Sequence, residues 1–343
     1  MRHINIPIFI PHLGCPNNCV FCNQRSISGH GEFDISTVAK EIEEVLSTCS
    51  EEDECEIAFF GGSFTGIDRE LMVSLLDIAE SYIKGKGKRV SSIRLSTRPD
   101  YISGEILDIL SKYSVKTIEL GLQSMDDGVL LASRRGHDCA CAERAARLIK
   151  ERGFSLVGQM MIGLPYSTLE KELYTARRIC ELGADGSRIY PTVVFYDTEL
   201  CLMAERGEYT PITNEEATLR SAAVLDVFER NGVDCIRIGL CSSDNLSSAD
   251  KVYGGASHAA LGELVMSQLY FMRICDKIDA VRESQKVDFK EKILTVCVKK
   301  GDVSKAVGQN RKNKLKLCQK YGFKDVKVLE KNDFLSYNVY ISF

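Results

Sequence analysis

Short runs of consecutive apolar residues alternate along this chain with longer stretches in which apolar positions recur every three or four residues. The first rhythm is that of strands buried on both faces, the second that of helices turning one face to a core. The runs at 4–10, 56–60, 90–96, 115–122, 154–162 and 185–190 predict strands. Between them, Ser36 stands as an N-cap ahead of Val38, Ile42, Val45 and Leu46. Leu71, Leu75, Ile78 and Ala79 mark one face of a helix over 69–84. Helices over 103–112, 126–152 (in two pieces) and 168–182 continue the alternation. Six βα units in succession predict an α/β fold, a partial parallel (β/α)6 barrel of the TIM type. The polar and glycine-rich residues fall where each strand ends, which is where such barrels assemble a site.

The rhythm changes near the C-terminus. A strand over 234–239 and a helical stretch over 259–275 are followed by a strand over 292–298 and a short helix from Ser304. Then come Gly308-Gln309-Asn310-Arg311, a helix over 312–321 and a strand over 325–329, a small α+β module. The expected division is a barrel core over 1–240, a barrel-closing segment over 241–285 and the module over 286–343.

Residues 14–24 carry the strongest chemical signal. Cys15, Cys19 and Cys22 stand at C-x3-C-x2-C spacing directly after the first strand. An iron–sulfur cube takes cysteine thiolates, and three in one loop leave one iron open to another ligand. The competing reading is a structural zinc completed by His12 or His30, but this spacing departs from the common zinc patterns. Gly61-Gly62-Ser63 follows the second strand, where glycines admit close backbone approach and open their amides to a ligand. Gln123 and Gln159 carry both donor and acceptor, suited to ribose hydroxyls, and Arg135 can fork onto a carboxylate.

Composition narrows the setting without changing this picture. The 343 residues are 44% hydrophobic and 27% charged, and no apolar run reaches membrane-spanning length. Fourteen cysteines without a secretion signal point to a reducing cytoplasm, where most of them serve as small buried hydrophobes. Net charge is −4, yet residues 276–343 carry 16 Lys and Arg against 9 Asp and Glu. A basic end on an acidic chain suggests an anionic partner for that end.

The cysteine loop resembles the signature loop of the radical S-adenosylmethionine (SAM) enzymes. Gly121-Leu122-Gln123-Ser124, Arg135-Gly136-His137 and Met161-Ile162-Gly163-Leu164-Pro165 occur in the order found in one branch of that family. This branch includes the catalytic subunit of Elongator and the oxygen-independent coproporphyrinogen oxidases. Thr97-Arg98-Pro99-Asp100-Tyr101, Ile189-Tyr190-Pro191-Thr192, Thr198-Glu199-Leu200 and Gly207-Glu208-Tyr209 are similar to Elongator's own motifs. The resemblance implies a [4Fe–4S] cluster on Cys15, Cys19 and Cys22. It implies SAM contacts at Phe21, Gly61, Gly62, Ser63, Ser96, Gln123, Arg135 and Gln159. Ser96 stands where the branch has an acidic residue. The implied chemistry is reductive cleavage of SAM to a 5′-deoxyadenosyl radical, with electrons from a partner such as flavodoxin or ferredoxin. The stretch after residue 270 is shorter than Elongator's acetyltransferase domain, so its uridine carboxymethylation is not carried over.

The tail's strand–helix–loop–helix–strand order resembles a KH module, whose GXXG loop clamps RNA. Arg311 takes the place of the second glycine. Gly308, Gln309, Asn310, Arg311, Lys312, Lys314 and Lys316 are the expected nucleic-acid contacts, with Tyr337 and Tyr340 as candidate stacking rings. The resulting expectation is a radical SAM enzyme that modifies RNA. Two alternatives stand beside it: a radical SAM enzyme acting on a small molecule such as a porphyrin, and a non-enzymatic RNA-binding protein with structural zinc. Cys241 and His258 are further candidates for redox or acid–base roles, each weighed against an incidental thiol and a capping histidine.

Overall fold

A computed structural model describes residues 2–10, 13–15, 19–22, 33–85, 90–240, 250–286, 288–332 and 334–343. His12, His30 and Cys241 lie outside the described residues. The chain divides into two compact units, one of residues 1–213 and 227–257, the other of 214–226 and 258–343.

The first unit is built on a seven-stranded sheet. Its strands are β1 (His3–Ile10), β2 (Glu54–Gly61), β3 (Val90–Thr97), β4 (Val115–Gln123), β5 (Ser155–Ile162), β6 (Gly186–Pro191) and β8 (Asp234–Ile238). They pair in the order β1-β2-β3-β4-β5-β6-β8, every pairing parallel. This is a curled half-barrel, the partial TIM-like fold that the alternating pattern predicts, with β8 adding a seventh strand to the six expected units. The helices between are α1 (Val38–Thr48), α2 (Arg69–Lys84), α3 (Gly104–Leu110), α4 (Asp127–Ala132), α5 (Cys139–Glu151), α6 (Leu169–Glu181) and α7 (Glu199–Glu205). Asp68, Ser103, Asp126, Asp138, Thr168 and Thr198 each accept a backbone amide as N-cap, which satisfies donors the first helical turn leaves open. In α2 the buried face is Met72, Leu75, Leu76 and Ala79 rather than one centred on Leu71 and Ile78, a rotation of about one position.

Alternation along the strands separates two environments. Ile6, Ile8, Ile57, Phe59, Ile93, Leu95, Ile118, Leu120, Met160, Ile162 and Ile189 are fully buried or nearly so. The other face carries Glu56, Arg94, Glu119, Gln159, Arg188 and Tyr190 at positions out of step with that set. A short pair, β7 (Val193–Phe195) with β9 (Val252–Gly255), runs antiparallel beside this sheet's chain.

The second unit contains the long helix α9 (Leu261–Gln285) and a three-stranded sheet in the order β11-β10-β12. Strand β10 (Ile293–Lys299) pairs in parallel with β11 (Asp325–Lys331) and antiparallel with β12 (Tyr340–Ser342). Helices α10 (Val303–Val307) and α11 (Lys312–Tyr321) connect β10 to β11 through Gln309–Arg311. Phe289 and Phe323 are buried in its core, the exposed Phe343 ring stacks on both, and the buried Tyr270 hydroxyl donates to Asp302 at 2.6 Å. Helix α8 (Asn214–Arg230) contributes to both units.

Candidate active site

Backbone holds the cysteine loop at the C-terminal end of β1. The Gly62 amide donates to the Ile10 carbonyl at 2.8 Å, and the Ser63 amide donates to the Leu13 carbonyl at 3.0 Å. The approach is so close that a Cβ on Gly62 would lie 2.0 Å from the Leu13 oxygen, and one on Gly14 would lie 2.3 Å from the Ser63 oxygen. Gly61 adopts a φ of +111°, open to glycine at little cost. Where the sequence predicts amides open to a ligand, the structure gives the Gly62 amide to Ile10, because the loop itself occupies that space. The Ser63 side chain is likewise turned inward: fully buried, it meets Thr97 Oγ1 at 2.8 Å and accepts from the Arg98 amide at 3.1 Å. Gly62→Ala is therefore expected to lift the loop and cost about 1–3 kcal/mol, the usual range for overpacking. Reconstituted protein should bind less iron per chain and melt earlier; iron content equal to the parent's would show that this contact does not place the thiols.

The far side of the loop is tied to two helices. The Val20 amide donates to the Ser133 carbonyl at 3.2 Å, and the Val20 carbonyl accepts from Leu200 at 2.8 Å. Val20 packs with Val194, Leu200, Cys201 and Tyr209, and the half-buried Phe21 leans on that cluster. Tyr209 in turn donates its hydroxyl to the Gly163 carbonyl at 2.6 Å, linking the loop's support to the end of β5.

Cys19 is buried, and Cys15 and Cys22 are half-buried. The Cys22 amide donates to the Cys19 carbonyl at 3.0 Å, so these two thiols share one turn. Arg135 Nη1 donates to Cys19 Sγ at 3.3 Å, and its Nη2 donates to the Gly121 carbonyl at 2.6 Å. The fork that the sequence offers to a carboxylate is thus engaged by a thiol and a carbonyl. Arg98 holds Asp100 through two bonds of 2.9 and 2.8 Å and reaches the Arg135 carbonyl at 2.5 Å. Burial pushes the Cys15 thiol pKa up, while the Arg98 and Arg135 charges pull it down. Among the described residues, no group of three or more Cys, His, Asp or Glu side chains is placed to hold a metal ion. A cube asks for a wider spacing than a lone ion, because its thiolates sit on separate irons.

His137 lies behind this network, its side chain fully buried and 3.9 Å from Asp100. Burial, reinforced by the Arg135 charge, lowers its pKa to about 4. The folded chain therefore keeps the imidazole neutral where the unfolded chain, with its ordinary value of 6.5, takes up a proton. Stability contributed at this position is complete above pH 6.5 and falls as pH drops toward 4, by about 2 kcal/mol at pH 5. Urea unfolding of the metal-free chain at pH 7 and pH 5 should show His137→Phe losing less than the parent; equal losses would place the acid sensitivity elsewhere.

The inner face of the sheet carries a belt of charge. Arg94 Nε donates to Glu56 at 2.7 Å and its Nη1 to Glu119 at 2.8 Å. Arg188 reaches the same Glu119 from across β5, with contacts of 2.8 and 2.9 Å. Ser92 donates to Glu56 at 2.9 Å, and the Arg188 guanidinium lies 5.4 Å from the Phe60 ring centroid. Burial opposes the charge on Arg188, yet Glu119 and Tyr190 keep its pKa above the usual value. This belt is a floor. Nearer the strand ends, Phe9, Phe60, Ser96, Gln159, Met161 and Tyr190 are half-buried on the same face. Gln159 Nε2 approaches Gln123 Oε1 at 3.4 Å, and Gln123 is buried with a φ of +67°. A left-handed glutamine at a strand end is costly and turns the chain sharply there, a feature that clusters at functional sites. The structure so brings Gln123, Gln159 and Arg135 together by Gly121, whose missing Cβ would meet Gln123 at 3.2 Å and Arg135 at 3.3 Å. Ser96 is also on the inner face, its hydroxyl donating a long 3.4 Å bond to the Phe59 carbonyl. The belt itself is absent from the sequence-based candidates. Its signal was one charged residue midway along each of four strands: Glu56, Arg94, Glu119 and Arg188.

In the second unit the loop after α10 has the expected place between two helices. Gly308 has a φ of +77°, and both Asn310 and Arg311 are left-handed, at +51° and +61°. Arg311 thus takes the positive φ for which a glycine would be the easier residue. Gln309, Asn310, Arg311 and Lys312 are exposed. Lys314 pairs with Asp325 at 3.3 Å and Lys316 lies 5.5 Å from the Phe271 ring, so these two are engaged beside the loop. Tyr337 is buried and its amide donates to Tyr270, which removes it as a stacking ring; Tyr340 is exposed on β12. The His258 ring accepts the Ala260 amide at 3.1 Å, the capping alternative.

Comparison with known proteins matches these observations. The Radical SAM superfamily profile covers residues 9–179, and the Radical_SAM C-terminal domain covers 184–270. Uncharacterized protein MJ0486 of Methanocaldococcus jannaschii is 30% identical over 223 residues, 62% of this chain and 67% of that protein. The tRNA uridine(34) acetyltransferase of the same organism is 25% identical across 82% of this chain, which spans 58% of it. The solved structure of archaeal Methanocaldococcus infernus Elp3 superposes with a TM-score of 0.64 at 20% identity, covering 83% of this chain and 68% of that one. Non-enzymatic RNA binding with structural zinc is excluded by this kinship. With its cysteine loop laced to the open end of a parallel half-barrel, the chain belongs to the radical SAM superfamily, enzymes that bind a [4Fe–4S] cluster and SAM.

Proposed function

We propose that this enzyme modifies RNA, with Cys15, Cys19 and Cys22 holding the cluster at the mouth of the half-barrel. When bound, the cluster and SAM together supply a one-electron reductive cleavage that yields a carbon radical able to abstract hydrogen. The residues of this chain do the rest. Ile10, Leu13 and Gly14, Val20 and the Arg135–Arg98–Asp100 network hold the loop. Gly61, Gly62, Ser63, Ser96, Gln123, Gln159 and Phe21 surround or support the space beside it, the proposed place of SAM. Phe60, Met161 and Tyr190, half-buried beyond the charged floor, would orient a substrate and limit water.

The observation that carries the RNA reading is the exposed pair Arg311 and Lys312 on a strained loop, in a terminal segment with an excess of seven positive charges. Neither side chain has a carboxylate within ion-pair distance among the described residues, so both are open to phosphate. A relative named for its action on tRNA supports the substrate class, though this chain spans only 58% of it. The barrel over 1–240, a closing segment over 241–285 and an RNA-docking module over 286–343 is the division of labour that follows. A reductant such as flavodoxin or ferredoxin, and a cytoplasmic setting, belong to the same reading. Among the described residues, no helix is long and apolar enough to cross a membrane.

The test is anaerobic turnover with SAM, a chemical reductant and total cellular RNA, followed by nucleoside mass spectrometry. RNA should accelerate 5′-deoxyadenosine release and yield a new nucleoside mass. Release that rises with a porphyrin and ignores RNA would favour the small-molecule alternative.

A further inference from the structure

The second unit contains a groove beside the 308–311 loop, most of whose walls lie outside that motif. It lies between the N-terminal part of α8, helix α9, the 308–311 loop and helix α11, and encloses about 640 Å³. A smaller recess of about 360 Å³ adjoins it on the other side of the loop, sharing Ser267, Gln309 and Asn310. Cationic, amide and apolar side chains line most of the larger space. Lys312 and Lys316 stand along α11 on one wall. Gln268, Gln309, Asn310 and Gln319 present amides. Leu219 and Leu315 are apolar and exposed, by 47% and 65%, in positions where solvent offers them nothing. Glu215 is the carboxylate on the rim.

We infer that this groove receives one or two unpaired nucleotides of a single-stranded RNA segment. The inference rests on the RNA reading above and specifies which RNA. Its volume is that of sites for small organic ligands, a few hundred to a thousand cubic ångströms. Cations at the rim match phosphates, amides match the donor–acceptor edges of bases, and the leucines offer apolar surface to a base. A duplex keeps its base edges inside its grooves and cannot present them here.

The groove is also held open by a fixed element. Asn313, buried at the start of α11, donates through Nδ2 to the Ser267 carbonyl at 2.9 Å, to Ser267 Oγ at 3.0 Å and to the Ala306 carbonyl at 3.1 Å. That bolts the loop to α9, and Gly308 passes so close that a Cβ there would meet Ser267 and Asn313 at 3.0 and 3.1 Å. The two left-handed residues that follow, Asn310 and Arg311, are strained, and a fold keeps such strain where the surroundings over-determine it. The consequence is a rigid lip with Gln309, Asn310 and Arg311 displayed along it.

Fluorescence polarisation with the full chain separates the outcomes. The probes are a short labelled RNA strand and the same strand annealed to its complement, at fixed moderate salt. The single strand should bind about tenfold tighter than the duplex. Leu315→Glu and Gln268→Ala, both on helix surfaces, should remove that preference, whereas Lys312→Gln should weaken both probes alike and flatten the salt dependence. Equal affinity for the two probes, or an unchanged preference in Leu315→Glu with an unchanged melting temperature, overturns the groove while leaving the RNA reading intact. If neither RNA binds, the RNA reading falls and the groove with it.

Discussion

Cys19→Ala is expected to give a folded chain that binds little iron and forms no 5′-deoxyadenosine from SAM. The fold should survive because the loop around this residue is held by backbone. The Val20 amide and carbonyl are both bonded, to Ser133 and Leu200, and neither bond involves the thiol. The Val20 cluster packs without it as well. What is lost is the most buried of three thiols and the acceptor for Arg135 Nη1. A stability loss of about 1 kcal/mol is the scale for one such bond. Activity, by contrast, should fall to background, since a cube missing one protein ligand of three is not retained. Iron and sulfide assays, the visible absorption of the reconstituted protein and urea unfolding together check it. A Cys19→Ala chain that stays brown and active would mean that the cluster is bound elsewhere.

Glu119→Leu should cost more stability than any other single change on the inner face, about 3–5 kcal/mol. Its carboxylate compensates two arginines, Arg94 and Arg188, in a place where Glu119 itself is 2% exposed. Among the described residues, removing it leaves Arg188 with the Tyr190 hydroxyl at 3.2 Å and the Phe60 ring face, and Arg94 with the Glu56 carboxylate. The cost comes from stranded charge rather than from the lost attraction, because ion pairs in such surroundings gain little over well-packed apolar residues. The double variant Glu119→Leu with Arg188→Met should therefore recover a good part of the loss. Unfolding free energies of the parent, the two single variants and the double variant, taken on metal-free protein, form the cycle. Simple additivity in that cycle would show that the two side chains do not act as a pair.

Much of this protein is legible along the chain, and the reason is periodicity. Strands buried on both faces give unbroken apolar runs, helices against a sheet give one apolar stripe, and their alternation leaves few folds to consider. Strand β8 was harder to place in the sheet, since Asp234 and Arg237 interrupt its apolar character and a long helix separates it from β6. The cysteine spacing was legible too, because the ligands of one compact centre lie close in sequence.

What folding alone decided concerns pairs far apart in the chain. Gly62 reads as a ligand-facing amide until Ile10 and Leu13 are seen lying against it. Arg135 reads as a free fork until Cys19, 116 positions away, is found under it. The Glu56–Arg94–Glu119–Arg188 belt joins four strands whose charges look incidental one at a time, and burial converts them into a balanced set. The groove beside Asn310 is assembled from α8, α9 and α11, of which the sequence marked only the loop and the lysines that follow it. Sequence by itself determined the order of elements, the thiol triplet and the basic end. Tertiary structure alone decided which polar groups face one another, because that depends on sheet register and helix packing, whose contacts span scores of residues.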